Sequence, residues 1–285
     1  MSLRAIFPAD LDPVATNALL CGGVGPRPIA LASTVSAEGA RNLAPFSFFN
    51  AFGSNPPMVA FAPNRRGRDG TVKHTYLNAV ATGEFVIASV SHGMLQQMNL
   101  ASAEYPEGVD EFGMSGLTPG PATRVKPALV LESPFQMECR LHQVVELGQG
   151  PGSGLLLLGE VVAFHAREEA FVDGILHPDR LDLVGRLGGA FYARASGEAV
   201  FQVAKPAGRP IGWEAVPEAL RASRILTGND LGRLANSAEL PDLDATEPHP
   251  GDPVDAEGLE RAIQAALLRE DLGEAWRLVT LRVKL

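Results

Sequence analysis

One stretch of the sequence combines residues that favour the binding of an anion. Thr71, Lys73 and Thr75 lie at the start of a predicted helix. Backbone N–H groups are free at that end of a helix and the helix dipole favours negative charge, to which Lys73 adds a full positive charge. Asn64, Arg65 and Arg68 lie in the loop just before the helix and are placed to share the anion, with arginines that are merely solvated as the alternative. A capped helix with a solvated lysine gives the same pattern, so both interpretations stand on the residues alone.

A second stretch offers groups that suit a flat polar ring. Ser33 and Thr34 lie on one predicted strand, and residues 47–50, Ser-Phe-Phe-Asn, lie on the next. Phe48 and Phe49 are adjacent, so in an extended strand their side chains point to opposite faces. One ring can then bury in the core while the other faces a ligand or a neighbouring subunit. Plain strand or core roles for all of these residues remain the alternative.

A β-hairpin is predicted to position this second stretch. Residues 29–35 and 42–52 are rich in side chains that suit a pleated surface, and Ala37-Glu38-Gly39 between them supplies the turn. Pro56-Pro57 closes the polar corner that follows the second strand. The hairpin therefore delivers its polar residues to one edge of a sheet.

Short apolar runs continue to about residue 205, and Gly, Pro or charged residues bound each of them. Helices are predicted over 71–81, with Gly83 closing the end, and over 92–103. Strands are predicted over 58–62, 85–91, 128–131, 135–147, 155–165 and 199–203. Strands at this spacing, connected by two helices, predict a barrel.

The sequence changes in character after Pro206. Short helices are predicted over 217–223 and 229–235, and residues 239–255 have the composition of an exposed, acidic, Pro-rich linker. Apolar residues then return at helical spacing over 255–278, which predicts one amphipathic helix that seeks a partner surface.

The composition argues against several classes of protein. A net charge of −9 over 285 residues, with dispersed Lys and Arg, does not suit a nucleic-acid binder. Cys21 and Cys139 lie far apart and the histidines show no ligand spacing, so neither a disulfide framework nor a metal site is expected. No run approaches the length of a membrane span and no signal peptide is evident, so we expect a cytoplasmic protein without a membrane partner. There is no GxSxG motif, which argues against hydrolysis.

Several motifs in one order carry a resemblance to a known family. They are RPIALASTV, NLAPFSFFNAF and NPPMVAFAP, then Lys73-His74-Thr75, TGEFVIASVS, GVDEFGMSGLTP and GRLGGAFY. Over roughly residues 20–205 the chain resembles the flavin reductase-like, FMN-binding split-barrel family, which includes flavoredoxin and the reductase components of two-component monooxygenases. His74 departs from the Lys-Asp-Thr that is common in this family.

The resemblance implies a fold and an activity. The fold class is mainly β: an FMN-binding split β-barrel with connecting helices over 1–205, followed by a helical C-terminal extension over 206–285. NADH or NADPH would transfer hydride to FMN, and the electrons would pass to free flavin, oxygen or a partner such as a monooxygenase. The flavin carries this chemistry, so we expect no catalytic acid or base. A homodimer is also implied.

The resemblance also implies a set of cofactor-binding residues, in which the glycines around Arg186 would allow backbone to approach the ligand closely. The expected residues are Ser33, Thr34, Ser47, Phe48, Phe49, Asn50, Pro63, Asn64, Arg65, Lys73, Thr75 and Arg186.

Two rival classes remain open at this stage. The first is an FMN-binding electron carrier, like flavoredoxin, that another protein reduces. The second is a structural or interaction protein with a vacant barrel, in which the exchange at His74 and the long tail have replaced the cofactor function.

Overall fold

The N-terminal part of the chain forms one large antiparallel sheet. In some of its strands buried residues alternate with more exposed ones, and in others, such as Ala30–Val35, every residue is buried. The computed structural model describes residues 3–206, 208–242 and 247–285, and the chain divides into two compact units, Met1–Phe201 and Gln202–Leu285. The N-terminal unit holds all the strands of the described chain together with several short helices. Since the C-terminal unit is helical, the mainly β expectation describes the N-terminal unit alone.

The strands are β1 (Ala30–Val35), β2 (Arg41–Phe46), β3 (Phe49–Ser54), β4 (Pro57–Phe61), β5 (Glu84–Ser89), β6 (Pro119–Gly120), β7 (Leu129–Val130), β8 (Phe135–Glu146), β9 (Leu155–Ala166), β10 (Phe171–Val172), β11 (Ile175–Leu176), β12 (Leu183–Arg186) and β13 (Tyr192–Ala195). The α-helices are α1 (Pro13–Gly23), α2 (His74–Thr82), α3 (Leu95–Leu100), α4 (Glu111–Ser115), α5 (Pro178–Leu181), α6 (Glu218–Arg221), α7 (Gly228–Ala235), α8 (Ala256–Leu268) and α9 (Leu272–Val283).

The large sheet has the strand order β2-β1-β5-β8-β9-β4-β3, so two strands that are consecutive in sequence lie at its opposite edges. Only Ser47 and Phe48 join β2 to β3. From Phe46 to Phe49 the chain spans at most about 11 Å, so the sheet must curl until its edges approach each other at this corner. No ladder joins β2 to β3 within the described residues, and the curled sheet remains open along that seam.

Aromatic side chains fill the inside of the curl. The ring centroids of Phe46 and Phe61 lie 5.5 Å apart, and those of Phe61 and Phe85 lie 5.2 Å apart. Because Phe46 belongs to β2 and Phe61 to β4, this stack bridges the seam from inside. Both faces of β1 are buried, since α3 and α4 pack over its outer face in a cluster with Leu31, Leu43 and neighbouring apolar residues.

Several sequence expectations need correction. The predicted strand 42–52 is two strands, because the chain turns through Ser47 and Phe48 from one sheet edge to the other. The predicted strand 199–203 is wrong, since a short 3-10 turn at Gly197–Ala199 leads into irregular backbone; β13 precedes it instead. Helix α2 begins at His74 rather than Thr71, and Gly83 ends it with a positive φ, as expected.

The C-terminal unit packs α6 to α9 around its own apolar core. Leu220, Leu234, Ile263 and Val279 are fully buried there. The Trp276 indole N–H donates to the Ser237 hydroxyl at 2.7 Å, so the one polar atom of this large buried ring is satisfied.

The amphipathic helix predicted over 255–278 is two helices, α8 and α9. Glu270 adopts a positive φ of 60° between them, and Asp271 caps α9 by accepting a hydrogen bond from the Glu274 N–H. The break lets both helices place apolar residues in one core. The predicted linker 239–255 falls partly on residues 243–246, which lie outside the described residues.

Across the described parts of the chain, no helix combines the length and apolar character that crossing a membrane requires. The same residues contain no cluster of His, Cys, Asp or Glu that suits a metal ion.

Candidate functional site

A groove opens in the N-terminal unit between the end of β2, the start of α2 and the loop after α3. Its cationic side chains are Arg66 and Lys73, and Glu104 lies across from them. The remaining lining residues are Asn42, Ala44, Pro45, Phe46, His74, Thr75, Ala101, Ser102, Ala103, Tyr105 and Glu111. The groove thus brings together the anion-binding stretch and the end of the first predicted hairpin.

The first turn of α2 faces this groove without a capping side chain. Lys73 is the N-cap residue, its side chain makes no capping hydrogen bond, and the first turn carries no acidic residue. The free N–H groups and the helix dipole therefore favour an anion here. Burial lowers the pKa of Lys73, and the nearby charge of Arg66 lowers it further, while Glu104 offsets part of the effect. The Lys73 ammonium lies 5.0 Å from the ring centroid of Phe46.

Two arginines beside the groove each keep one donor in reserve. Arg66 donates through Nη1 to the Thr71 hydroxyl at 3.1 Å and to the Val72 carbonyl at 2.5 Å. Arg65 donates to the Gly70 carbonyl and to Glu146. The Nε atoms of both arginines are buried without a hydrogen-bond partner among the described residues. Since unsatisfied buried donors are costly, these atoms suit an external acceptor.

Thr34 and Thr75 lie beneath the groove in a buried polar network. The Thr75 hydroxyl donates to Asn42 Oδ1 at 2.8 Å and the Thr34 hydroxyl donates to the same oxygen at 3.3 Å. The Asn42 amide donates in turn to Glu111 at 2.9 Å, and Asn78 donates to Thr34. The two threonines therefore order the groove floor. Sequence reasoning missed Asn42 and Glu111, because their pairing joins β2 to α4 across a long stretch of chain.

The corner between β2 and β3 presents the other predicted residues. Phe48 is 37% exposed, whereas Phe49 is partly buried and packs against the inner core. Ser47 is half-buried, and the exposed Asn50 turns its side-chain oxygen to the Ala51 N–H. The Phe48 carbonyl accepts from the Ala62 N–H, which places Pro63 and Asn64 just behind the corner.

Arg27 holds this corner from behind and was not among the residues singled out from the sequence. It is only 6% exposed, and its guanidinium donates to the carbonyls of Cys21, Val24 and Leu187. Its Nε donates to the Ser47 hydroxyl at 3.4 Å, and Cζ lies 5.9 Å from the Phe48 ring centroid. In the sequence, Arg27 lies between Pro26 and Pro28, just before the predicted strand 29–35, and this position alone does not indicate a partner.

Arg186 is turned away from the corner. Its guanidinium contacts the Tyr192 hydroxyl and the Gly189 carbonyl, while its backbone pairs with that of Arg27. Two of the nearby glycines, Gly185 and Gly188, allow a close approach of the chain to itself, and the expectation that Arg186 binds a ligand stays a prediction. A Cβ on Gly185 would lie 2.7 Å from the Cβ of Pro26, and one on Gly188 would lie 3.0 Å from the Gly22 Cα.

The remaining predicted residues divide between the groove and the core. Asn64 has a buried side-chain oxygen without a hydrogen-bond partner among the described residues. Ser33 lies within β1 and is fully buried, and its hydroxyl likewise has no partner in the described chain. Pro63 is buried in the loop after β4. The groove lining therefore includes Lys73 and Thr75 but neither Asn64 nor Arg65, which lie in the loop after β4, and residues 47–50 form the adjoining corner.

Comparisons with known proteins match this part of the molecule. A family model described as a flavin reductase like domain matches residues 23–182. An uncharacterised protein of Deinococcus radiodurans is 42% identical over 178 residues, which cover 60% of this chain and 76% of that protein. The structure of nitrilotriacetate monooxygenase component B from Bacillus cereus is 31% identical, with a TM-score of 0.67 and coverage of 71% of this chain and 100% of that chain.

A further structure, from Shewanella frigidimarina, is described as having a split barrel domain. It is 23% identical with a TM-score of 0.58, and the match covers 69% of this chain and 96% of that chain. At this identity the likeness concerns the fold alone. The family match ends at residue 182, before the helical C-terminal unit begins.

Proposed function

This chain belongs to the flavin reductase like domain family, and from that premise we propose that it binds FMN along the groove and corner and passes electrons through it. The observation that carries the proposal is the groove itself. Arg66, Lys73 and the uncapped first turn of α2 converge there, with a buried guanidinium donor in reserve. The open, curled sheet supports a split barrel of the FMN-binding kind.

The polar groups of the groove fit the phosphate and ribityl parts of FMN. A dianionic phosphate needs several N–H donors and positive charge, which the Arg66 guanidinium, Lys73 and the start of α2 supply. The unpartnered oxygen of Asn64 fits a donor such as a ribityl hydroxyl. Ser33 and Thr34 support this end from within the sheet rather than by contact.

The corner fits the flavin ring. Residues 47–50 leave regular strand geometry, so their backbone groups are available to the polar edge of the ring, and Phe48 offers an exposed apolar face beside it. Arg27 fixes the corner by donating to Ser47 and by lying against Phe48. Arg186 contributes through the hairpin that supports Arg27.

Bound FMN would supply hydride acceptance from NADH or NADPH and onward electron transfer to free flavin, oxygen or a partner protein such as a monooxygenase. The chain's own residues bind the phosphate, orient the ring and exclude water from its buried edge. In this proposal no side chain transfers a proton.

We also propose a homodimer in the cytoplasm, with Met1–Phe201 as the flavin domain and Gln202–Leu285 as an appended domain. Helix α1 has no buried residue, although it carries Leu19 and Leu20. The edge strand β3 is exposed along most of its length, and Phe52 is 65% exposed. A second copy would cover such apolar surface. Cys21 and Cys139 are both free thiols, as suits a reducing compartment.

The test is a titration of the full chain with FMN, followed by anaerobic addition of NADH and, separately, NADPH. We expect yellow colour that survives desalting or saturates on titration, and bleaching by at least one nucleotide. Binding without bleaching would favour a flavoredoxin-like carrier that another protein reduces. Protein that neither binds nor reduces FMN would contradict the proposal and favour a vacant barrel.

A further inference from the structure

Glu104 places a carboxylate at the mouth of a groove that is otherwise cationic. It belongs to the loop after α3, and its side chain is 54% exposed. One oxygen accepts from Arg68 Nη1 at 2.5 Å, and the other lies 3.6 Å from Arg66 Nε, the donor that has no hydrogen-bond partner in the described chain. Glu104 therefore forms ion pairs with both Arg66 and Arg68.

The other polar groups that line the groove do not pair with the arginines as Glu104 does. Glu111 also lines the groove, but its two oxygens are held by the Asn42 amide and the Leu43 N–H. From α2 the groove receives Lys73 and His74, and from the loop after α3 it receives Tyr105. Asp69 accepts from Arg68 Nε at 3.0 Å, whereas Glu104 pairs with both Arg66 and Arg68. The positive charge of the two arginines is therefore already partly neutralised before any ligand arrives.

We propose that Glu104 competes with the FMN phosphate for Arg66 and thereby keeps the flavin exchangeable, so that FMN behaves as a dissociable substrate rather than a permanent cofactor. This rests on the proposed FMN site. A dianion that binds Arg66 must displace the Glu104 carboxylate from this guanidinium, and a carboxylate that stays nearby, held by Arg68, repels it. Riboflavin lacks the phosphate and escapes both effects.

The negative charge of Glu104 should weaken FMN binding because it lies close to the phosphate, not because it changes the net charge of the protein. Two unit charges about 4 Å apart in water interact by enough to change a binding constant about fivefold. Charges further apart than about 8 Å are largely screened at physiological salt. Removing the charge of Glu104 should therefore strengthen FMN binding at least about fivefold, while removing a charge elsewhere on the same loop should not.

The experiment compares the full-length wild type, Glu104→Gln and Glu107→Gln by titration with FMN and with riboflavin. Glu107 is exposed on the same loop, outside the groove lining, so its variant is a matched control for net charge. We expect Glu104→Gln to bind FMN about fivefold tighter, to bind riboflavin as the wild type does, and to lose part of its advantage at high salt. Faster FMN release by the wild type than by Glu104→Gln should accompany this.

Unchanged or weaker FMN binding by Glu104→Gln would overturn the inference, because Glu104 would then be neutral or would organise the arginines for the ligand. An equal gain for riboflavin, or for Glu107→Gln, would also overturn it. A wild type that binds neither flavin would overturn the proposed function, and the inference with it. Equal melting temperatures of the variants would confirm that each is folded.

Discussion

The two units of this chain use their arginines in opposite ways. In the C-terminal unit, Arg277 donates two hydrogen bonds of 2.7 Å to Asp252 and two more of 2.7 Å to Glu274. In the groove of the N-terminal unit, Arg66 satisfies Nη1 with its own loop and leaves Nε buried without a hydrogen-bond partner among the described residues. The guanidinium nitrogens of Arg277 all find acceptors within the protein, whereas Nε of Arg66 has no hydrogen-bond partner among the described residues.

The difference separates side chains that hold the fold from side chains that await a ligand. A partly buried guanidinium whose donors all meet carboxylates stabilises the segments that it joins, and removing it leaves buried charge behind. A guanidinium with a reserve donor contributes less to the fold, and its full hydrogen bonding is reached only when an acceptor enters. The ion pairs of the helical unit therefore predict stability effects, and the cations of the groove predict binding effects.

The largest effect is expected for Arg277→Met. Losing Arg277 leaves Asp252 and Glu274 without their partner, which should destabilise the helical unit more than the loss of an exposed ion pair does. Both tryptophans, Trp213 and Trp276, lie in this unit, so urea unfolding followed by tryptophan fluorescence measures its stability directly. An unchanged midpoint would contradict the structural role given to Arg277.

The same cluster predicts a pH dependence. Hydrogen bonds from Arg277 lower the pKa of both Asp252 and Glu274, in each case against the opposing effect of burial. A lowered folded-state pKa contributes stability above the ordinary carboxyl pKa, and this stability is lost as the pH falls below it. We therefore expect the acid-induced loss of stability to be smaller in Arg277→Met than in the wild type.

In the N-terminal unit, we expect Arg66→Met to weaken ligand binding and to change stability little. FMN affinity should fall at least about tenfold, since a charge-assisted hydrogen bond is lost, while the unfolding free energy changes by about 1 kcal/mol or less. Riboflavin affinity should change little. Paired flavin titrations and thermal melts of the same preparations measure both quantities. A large loss of stability with unchanged FMN binding would contradict the contrast between Arg66 and Arg277.

Lys73→Met should weaken FMN binding about fivefold, through loss of one charge near the phosphate. Burial, and then the charge of Arg66, lower the pKa of Lys73, so wild-type affinity for FMN should begin to fall at a lower alkaline pH than an ordinary lysine would give. The stability of the fold should change in the opposite direction and rise with pH, because deprotonation of a lysine with a lowered pKa favours the folded state. Titrations across alkaline pH should show the fall in the wild type and its absence in Lys73→Met.

The smallest effect is expected for Arg261→Gln. Arg261 pairs with Glu257 one turn away on α8, but both side chains are about two-thirds exposed, at 66% and 67%. Solvent screening leaves such a pair worth roughly 0.5 kcal/mol or less. A urea midpoint close to that of the wild type, next to the shifted midpoint of Arg277→Met, would show that burial and completeness, not ion pairing itself, distinguish Arg277.

Local patterns in the sequence were enough for much of the fold. Turn residues and alternating apolar residues located the β1–β2 hairpin and the long strands β8 and β9, and Gly83 marked the end of α2. The chain's path from β2 to β3 was missed, because residues 42–52 are uniformly suited to strands and the change of sheet edge depends on pairing with β4. The break at Glu270 was missed for a similar reason, since apolar spacing continues through it.

The candidate site divides in the same way. Lys73 and Thr75 were predicted from a local signal, because the start of a helix favours anion binding, and both line the candidate groove. Arg27, Asn42 and Glu104 were missed because each acquires its role from residues that are distant in sequence, namely Ser47 with Leu187, Glu111, and Arg66 with Arg68. Arg186 was placed in the site by its glycine-rich surroundings, which in the structure serve packing against residues 22–26.

The two-residue link between β2 and β3 also sets an order for folding. The β1–β2 hairpin closes a short loop, but β4, which follows the link, pairs with β9 in a register that joins Met58 to Glu160, about a hundred residues later. Such non-local pairing is entropically costly and slow. The corner at Ser47 and Phe48 is therefore completed only when nearly the whole N-terminal unit has assembled, and a refolding chain should regain its hairpin well before it regains any capacity to hold a flavin.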